Sequence, residues 1–288
     1  MVKGLDLFKA HFENYTDYYA IIDGAAASEW FAMQELAFRA TKDIDIVLLI
    51  EAMDDAFLRH FWDFVLEGGY EIKQRSDGRP IYYRFAKPQR QDFPEMLELF
   101  SRGRSGLILG DEQTIVPIPK EEDASSLSAI LMDEDYYKAV NNFREITSGL
   151  PLITPPGIIL LKAKVWLDLS ARAQSGEKIN SKHIRKHRND VFQMTMLLSV
   201  GESFDVPLGV YSDFEQFLEA FPVQSAEWKS IKAAWAKIRR CHRNRKSPTP
   251  WPKRFHCLQF EVVGFWRTCA STKRGPPRKY CGSPESHF

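Results

Sequence analysis

Arg39-Ala40-Thr41-Lys42-Asp43-Ile44-Asp45-Ile46 leads directly into the apolar run Val47-Leu48-Leu49-Ile50. An apolar run of this length bounded by polar residues reads as a strand. Side chains at i and i+2 of a strand share one face. Asp43 and Asp45 would therefore project together, about 6–7 Å apart. Two carboxylates so placed repel unless a cation lies between them. A hard divalent ion answers that need, and Mg²⁺ commonly takes one or two carboxylates plus substrate phosphates. Arg39 and Lys42, just upstream, are placed to neutralise phosphate charge.

Upstream lies Ile21-Ile22-Asp23-Gly24-Ala25-Ala26-Ala27-Ser28, an apolar segment that breaks into small residues. A turn of small residues lets backbone amides approach a phosphate closely. Helix is predicted over 4–20 and 25–38, with a short strand at 21–23 between them. A strand at 43–50 and a helix at 54–67, stopped by Gly68-Gly69, follow. Strands are predicted at 70–73, 80–86, 96–101 and 115–118. Beyond about residue 125 the pattern turns helical, over 157–169, from Asn180-Ser181 to 198, and over 212–220 and 225–240. The fold class is α/β (α+β): a small mixed sheet with helices over 1–125, then a helical domain over 126–240.

Residues 241–288 differ in kind. They carry 10 Lys and Arg against 2 acids, whereas residues 1–240 carry 29 against 36. All four cysteines, Cys241, Cys257, Cys269 and Cys281, fall there, with no CxxC pair to suggest a zinc site. This basic Cys/Pro-rich tail is read as disordered or non-native, with a nucleic-acid-binding extension as the alternative. The chain has no run of 18 apolar residues and no apolar N-terminal leader. No membrane association and a cytoplasmic location are the expectations.

Gly24-Ala25 opening a helix, then Arg39-x-Thr41-x-Asp43-Ile44-Asp45, resembles the core signature of the nucleotidyltransferase fold. The branch it most resembles is the AbiEii toxin family of bacterial abortive-infection and toxin–antitoxin systems. That family usually has Gly-Gly or Gly-Ser at the turn, where this chain has Asp23-Gly24. The resemblance implies a third carboxylate on a neighbouring strand. Glu98, in Met96-Leu97-Glu98-Leu99-Phe100, is the candidate, with Glu95 and Asp92 as runners-up. It also implies a lysine on a helix facing the nucleotide, matched by Lys162 after Pro155-Pro156, and a basic segment ending in an aspartate, matched by Lys186 and Asp190. The basic run 178–188 is where nucleic-acid phosphates would lie.

The expected activity is transfer of an NMP from an NTP to an acceptor hydroxyl. Asp43, Asp45 and Glu98 would hold two Mg²⁺ ions, and Lys162 would act in catalysis. Gly24, Ala25, Arg39, Thr41, Lys42, Lys186 and Asp190 would bind the nucleotide. The resemblance further implies an RNA acceptor, such as a tRNA end, and a cognate antitoxin partner. The alternatives are a small-molecule transferase of the aminoglycoside-modifying kind and a non-catalytic nucleotide-binding member; a nuclease is a weaker rival.

Overall fold

The computed structural model describes residues 2–49, 54–74, 80–100, 107–109, 113–115, 130–131, 133–199, 203–222, 224–233 and 266–268. In chain order these form α1 (Leu5–His11), a 3₁₀ turn (Glu13–Tyr15), β1 (Tyr19–Ile22), α2 (Asp23–Met33), β2 (Asp43–Leu48) and α3 (Asp55–Gly68). Then come β3 (Glu71–Gln74), β4 (Pro80–Ala86), β5 (Met96–Phe100), β6 (Leu107–Leu109), β7 (Gln113–Ile115) and α4 (Glu134–Asn142). The chain continues through β8 (Arg144–Thr147), β9 (Leu150–Ile153), α5 (Pro155–Gln174), α6 (Ser181–Met194), β10 (Phe204–Val206), α7 (Leu208–Glu219) and β11 (Trp266–Thr268).

Seven strands make one mixed sheet in the order β3-β4-β5-β2-β1-β9-β8. The acid-bearing strand β2 sits at its centre, antiparallel to β1 and parallel to β5. Its alternation separates two faces. Ile44 is paired with Leu97, which is itself paired with Phe85, and Phe85 touches Phe61 of α3. That face is apolar and aromatic: Phe8, Phe12 and Phe64 join α1 to α3 in a chain of ring contacts. The other face carries Asp43, Asp45 and Glu98, and α5 and α6 cover it.

The caps read from sequence are present. Asp54 accepts a hydrogen bond from the Phe57 amide at the start of α3, and Gly69 ends it in the left-handed region (φ 60°). Asn180 caps α6 through the Lys182 amide. Other expectations need correction. The helix expected over 4–20 ends at His11, and Tyr19 and Ala20 belong to β1. Their full burial beside β2 and the pairing Tyr19↔Leu48 outweigh the helical spacing of the aromatics. The helix expected to run to 38 stops at Met33.

Within the segment read as helical, β8 and β9 form a hairpin that completes the sheet. Its turn is Ser148-Gly149, both with positive φ (52° and 74°), a pattern suited to tight hairpins. Pro151 hid β9, because proline cannot donate to a ladder. The structure accommodates it by beginning the pairing with β1 at Leu152, opposite Ile21. The sheet thus draws on both sides of residue 125. In the tail, β11 pairs in parallel with β10. The four cysteines and residues 116–118 lie outside the described residues.

Candidate active site

The parallel register of β2 and β5 sets Asp45 beside Glu98. Adjacent strands lie about 4.8 Å apart, so these carboxylates are immediate neighbours. Asp43 lies two residues back on the same face. Asp23 follows Ile22, which pairs with Asp45, and it brings a fourth acid to the same place. All four line one cavity of about 320 Å³. Its far wall is α6, through His183, Lys186 and His187, and its side wall is an apolar stripe of α5: Ile158, Leu161, Val165 and Leu169.

Burial first, then the charges of Asp23 and Glu98, push the Asp45 carboxyl well above the usual range. Burial and Glu98 raise Asp43 too, against opposing pulls from Lys186 and Arg84. These acids are therefore held at a charge density that a cation would relieve. Their all-oxygen chemistry fits a hard divalent ion. Among the described residues, no group of three His, Cys, Asp or Glu stands close enough together to hold a metal ion as placed. Glu98 is engaged by Arg84, its cross-strand neighbour on β4. The donor set fits best as two carboxylates, Asp43 and Asp45, with substrate oxygens completing the shell.

Behind this floor lies a buried ion cluster. Lys162, 1 % exposed, contacts Asp23 and sits 2.9 Å from Asp190, which is also 1 % exposed. Arg39 grips Asp190 with a two-pronged guanidinium contact, Nε at 3.1 Å and Nη2 at 2.8 Å. Burial disfavours the Lys162 charge, but Asp190 and Asp23 outweigh it and raise the ammonium above its ordinary value. Asp190 is held low by Lys162 and Arg39 in spite of its burial. Burial likewise raises Asp23, and Lys162 foremost outweighs it, leaving the carboxyl far below the usual range. Asp23 adopts a left-handed backbone (φ 50°), which aspartate tolerates better than most residues.

Lys186 stands apart from this cluster. It makes no ion pair among the described residues and faces the cavity. Burial, then Arg39 and Lys162, lower its pKa. His187 is driven down to about 3, chiefly by burial and then by Lys162, and its Nδ1 has no hydrogen-bond partner among the described residues.

The structure gathers Asp43, Asp45, Glu98, Lys162 and Lys186 around one cavity, with Arg39 and Asp190 supporting it from behind. Gly24 packs under Thr41 and Arg39: a Cβ there would lie 2.7 Å from Thr41 Oγ1. Ala25 is buried in α2 and does not line the cavity. Lys42 is exposed, bonded to Glu95 at 2.8 Å, and outside the cavity. Asp92 is likewise engaged by Arg90. Of the basic run, His183, Lys186 and His187 reach the cavity, while Arg188 turns to Glu227. Sequence reasoning passed over Asp23 as a site residue and placed His183 and His187 only within the basic run for nucleic-acid phosphates. A polar residue at the strand-to-helix turn signalled Asp23, and the helical spacing of His183 to Lys186 (three residues) and to His187 (four) signalled the histidines.

No protein-family model matches this chain, and no curated protein matches it. Among solved structures, it is similar to an antigenic nucleotidyltransferase-like protein from Paracoccidioides brasiliensis, with 16 % sequence identity and a TM-score of 0.42, over 81 % of this chain and 94 % of that one.

Proposed function

We propose that the chain is a metal-dependent nucleotidyltransferase, moving an NMP from an NTP to an acceptor hydroxyl. The observation that carries this reading is the placement of Asp43, Asp45 and Glu98 on adjacent strands, facing across one cavity a Lys186 that makes no ion pair among the described residues. Acids that bind a cation and a free ammonium that binds phosphate are the two halves of a metal–triphosphate site. Asp43 and Asp45 would hold Mg²⁺, with Glu98 beside them and room for a second ion only if Glu98 leaves Arg84. Bound there, the metal would supply charge neutralisation at the phosphates.

The residues then act by position. Lys186 draws the triphosphate toward α6. The apolar stripe of α5 shields one side from water. Lys162 and Arg39 act at one remove, fixing Asp23 and Asp190 so that the turn before α2 keeps its shape. The resemblance to AbiEii-type toxins suggests an RNA acceptor and a partner antitoxin, and these belong to the proposal.

Isothermal titration with the four NTPs and Mg²⁺, together with transfer of label from [α-³²P]NTPs into total RNA or kanamycin, tests it. Asp43→Asn plus Asp45→Asn should abolish metal-dependent binding and lower transfer by at least 10³-fold. Retained binding and turnover in that variant would sink the assignment.

A further inference from the structure

Asp43 borders a second cavity, of about 460 Å³, whose other walls come from Lys3 and the β4–β5 connection and none from α5 or α6. Among the described residues, Asp43 is the one common to the two cavities. The wall of the second is firmly built. Lys87 turns through the left-handed region (φ 51°) and bonds back to Glu95. The Gln89 and Arg90 amides donate to the end of α3, and the Tyr70 hydroxyl donates to the Pro94 carbonyl at 2.8 Å.

Transfer at phosphorus places the attacking and leaving oxygens in line, on opposite sides of the reacting atom. On the nucleotidyltransferase reading, a triphosphate drawn toward Lys186 would put its pyrophosphate in the first cavity and leave open the side of Asp43 that borders the second. Resting on the nucleotidyltransferase reading, we infer that the second cavity receives the acceptor, as a sugar hydroxyl. The acceptor oxygen bonds to the α-phosphorus as the bond from that phosphorus to the α,β-bridging oxygen breaks. The electron pair departs with pyrophosphate, and the hydroxyl proton passes to solvent at the cavity mouth.

The chemistry of the wall selects the class. Of its charged residues, Glu95 is neutralised by Lys42 from outside the wall and Lys87 by Glu71, each at 2.8 Å. What remains beside Asp43 is the Gln91 amide, donor and acceptor together, and the Lys3 ammonium. That mixture suits a hydroxyl-rich sugar, a chemistry shared by a ribose end and an amino sugar.

Amide NMR of the full chain distinguishes these sources. The chain is first saturated with Mg²⁺ and α,β-methylene analogues of the four NTPs, then titrated with either the dinucleotide ApA or kanamycin. One of the two probes should shift the Lys3, Lys87 and Gln91 amides, and Gln91→Trp should weaken that probe at least tenfold. ApA doing so identifies a ribose end, and kanamycin an amino sugar. Shifts centred on His183 and Lys186, unchanged probe affinity in Gln91→Trp, or no shift at Lys87 and Gln91 with either probe would overturn the assignment. The first titration reads the underlying function separately, because analogues that fail to shift His183 and Lys186 refute nucleotide binding whatever the second cavity does.

Discussion

Lys162 and Lys186 come from neighbouring helices and point toward the same cavity, yet their surroundings give them different work. Lys162 is wholly buried and saturated by Asp23 and Asp190. Removing one partner from a buried ion cluster leaves charges without compensation, at a cost of about 3–5 kcal/mol. Lys162→Met should therefore lower the free energy of urea unfolding by that amount, because Asp23 and Asp190 would then face each other. Lys186 has no such partner among the described residues, and burial, then Arg39 and Lys162, disfavour its charge. Lys186→Gln should leave urea stability unchanged or slightly raised. Its Mg·NTP affinity should fall about tenfold, or ~1.4 kcal/mol, in isothermal titration. The two lysines would look alike in a sequence; only burial and partnership separate a positioning lysine from a ligand-binding one.

At the scale of elements, the junction of β1 with α2 is tightly closed. A Cβ on Gly24 would fall 2.7 Å from Thr41 Oγ1 and 3.3 Å from Thr41 Cβ, so the segment leading into β2 closes directly over α2. Overpacking of this kind costs about 1–3 kcal/mol. Gly24→Ala should destabilise by that amount in chemical denaturation, and Thr41→Ala in the same chain should recover part of it through removal of the offending oxygen. Coupling energy near zero across that double-mutant cycle would refute the contact. The sequence made this junction legible because small residues, a strand and two acids recur there in close order. It also made α3 and α6 legible, since Asp54, Gly69 and Asn180 mark ends by local hydrogen bonding or backbone freedom. The β8–β9 hairpin was illegible because its pairing is non-local and Pro151 argues locally against a strand. The same reason hid the cluster's true shape. That Arg39 would reach Asp190, 151 residues away, rather than a phosphate depends on how α6 lies on the sheet.

The whole molecule sets two opposed titrations within one site, and they separate by pH. Asp190 is stabilised as a carboxylate, so its folded pKa lies below its unfolded value. Its contribution is full above about pH 4 and is lost as pH falls through the folded value. Asp45 is the reverse: its folded pKa is raised, so between the unfolded and folded values the native state keeps a proton that the unfolded chain has released. Stability therefore falls as pH rises from about 4 through the raised value of Asp45, and Asp43 adds to the same slope. Without divalent metal, the chain should be most stable on the mildly acidic side and lose stability toward neutrality. A cation bound by ionised Asp43 and Asp45 reverses that loss, because it binds the deprotonated native state. At a Mg²⁺ concentration 100 times its dissociation constant, the gain is about 2.7 kcal/mol. Thermal melts with and without Mg²⁺ should consequently diverge at pH 7.5 and converge near pH 4.5. Asp45→Asn should flatten the metal-free profile and remove most of the Mg²⁺ response, while leaving the acid limb set by Asp190 in place. A Mg²⁺ shift of equal size at both pH values, or one that survives Asp45→Asn, would place the cation elsewhere on the molecule and detach the sheet's acids from metal binding.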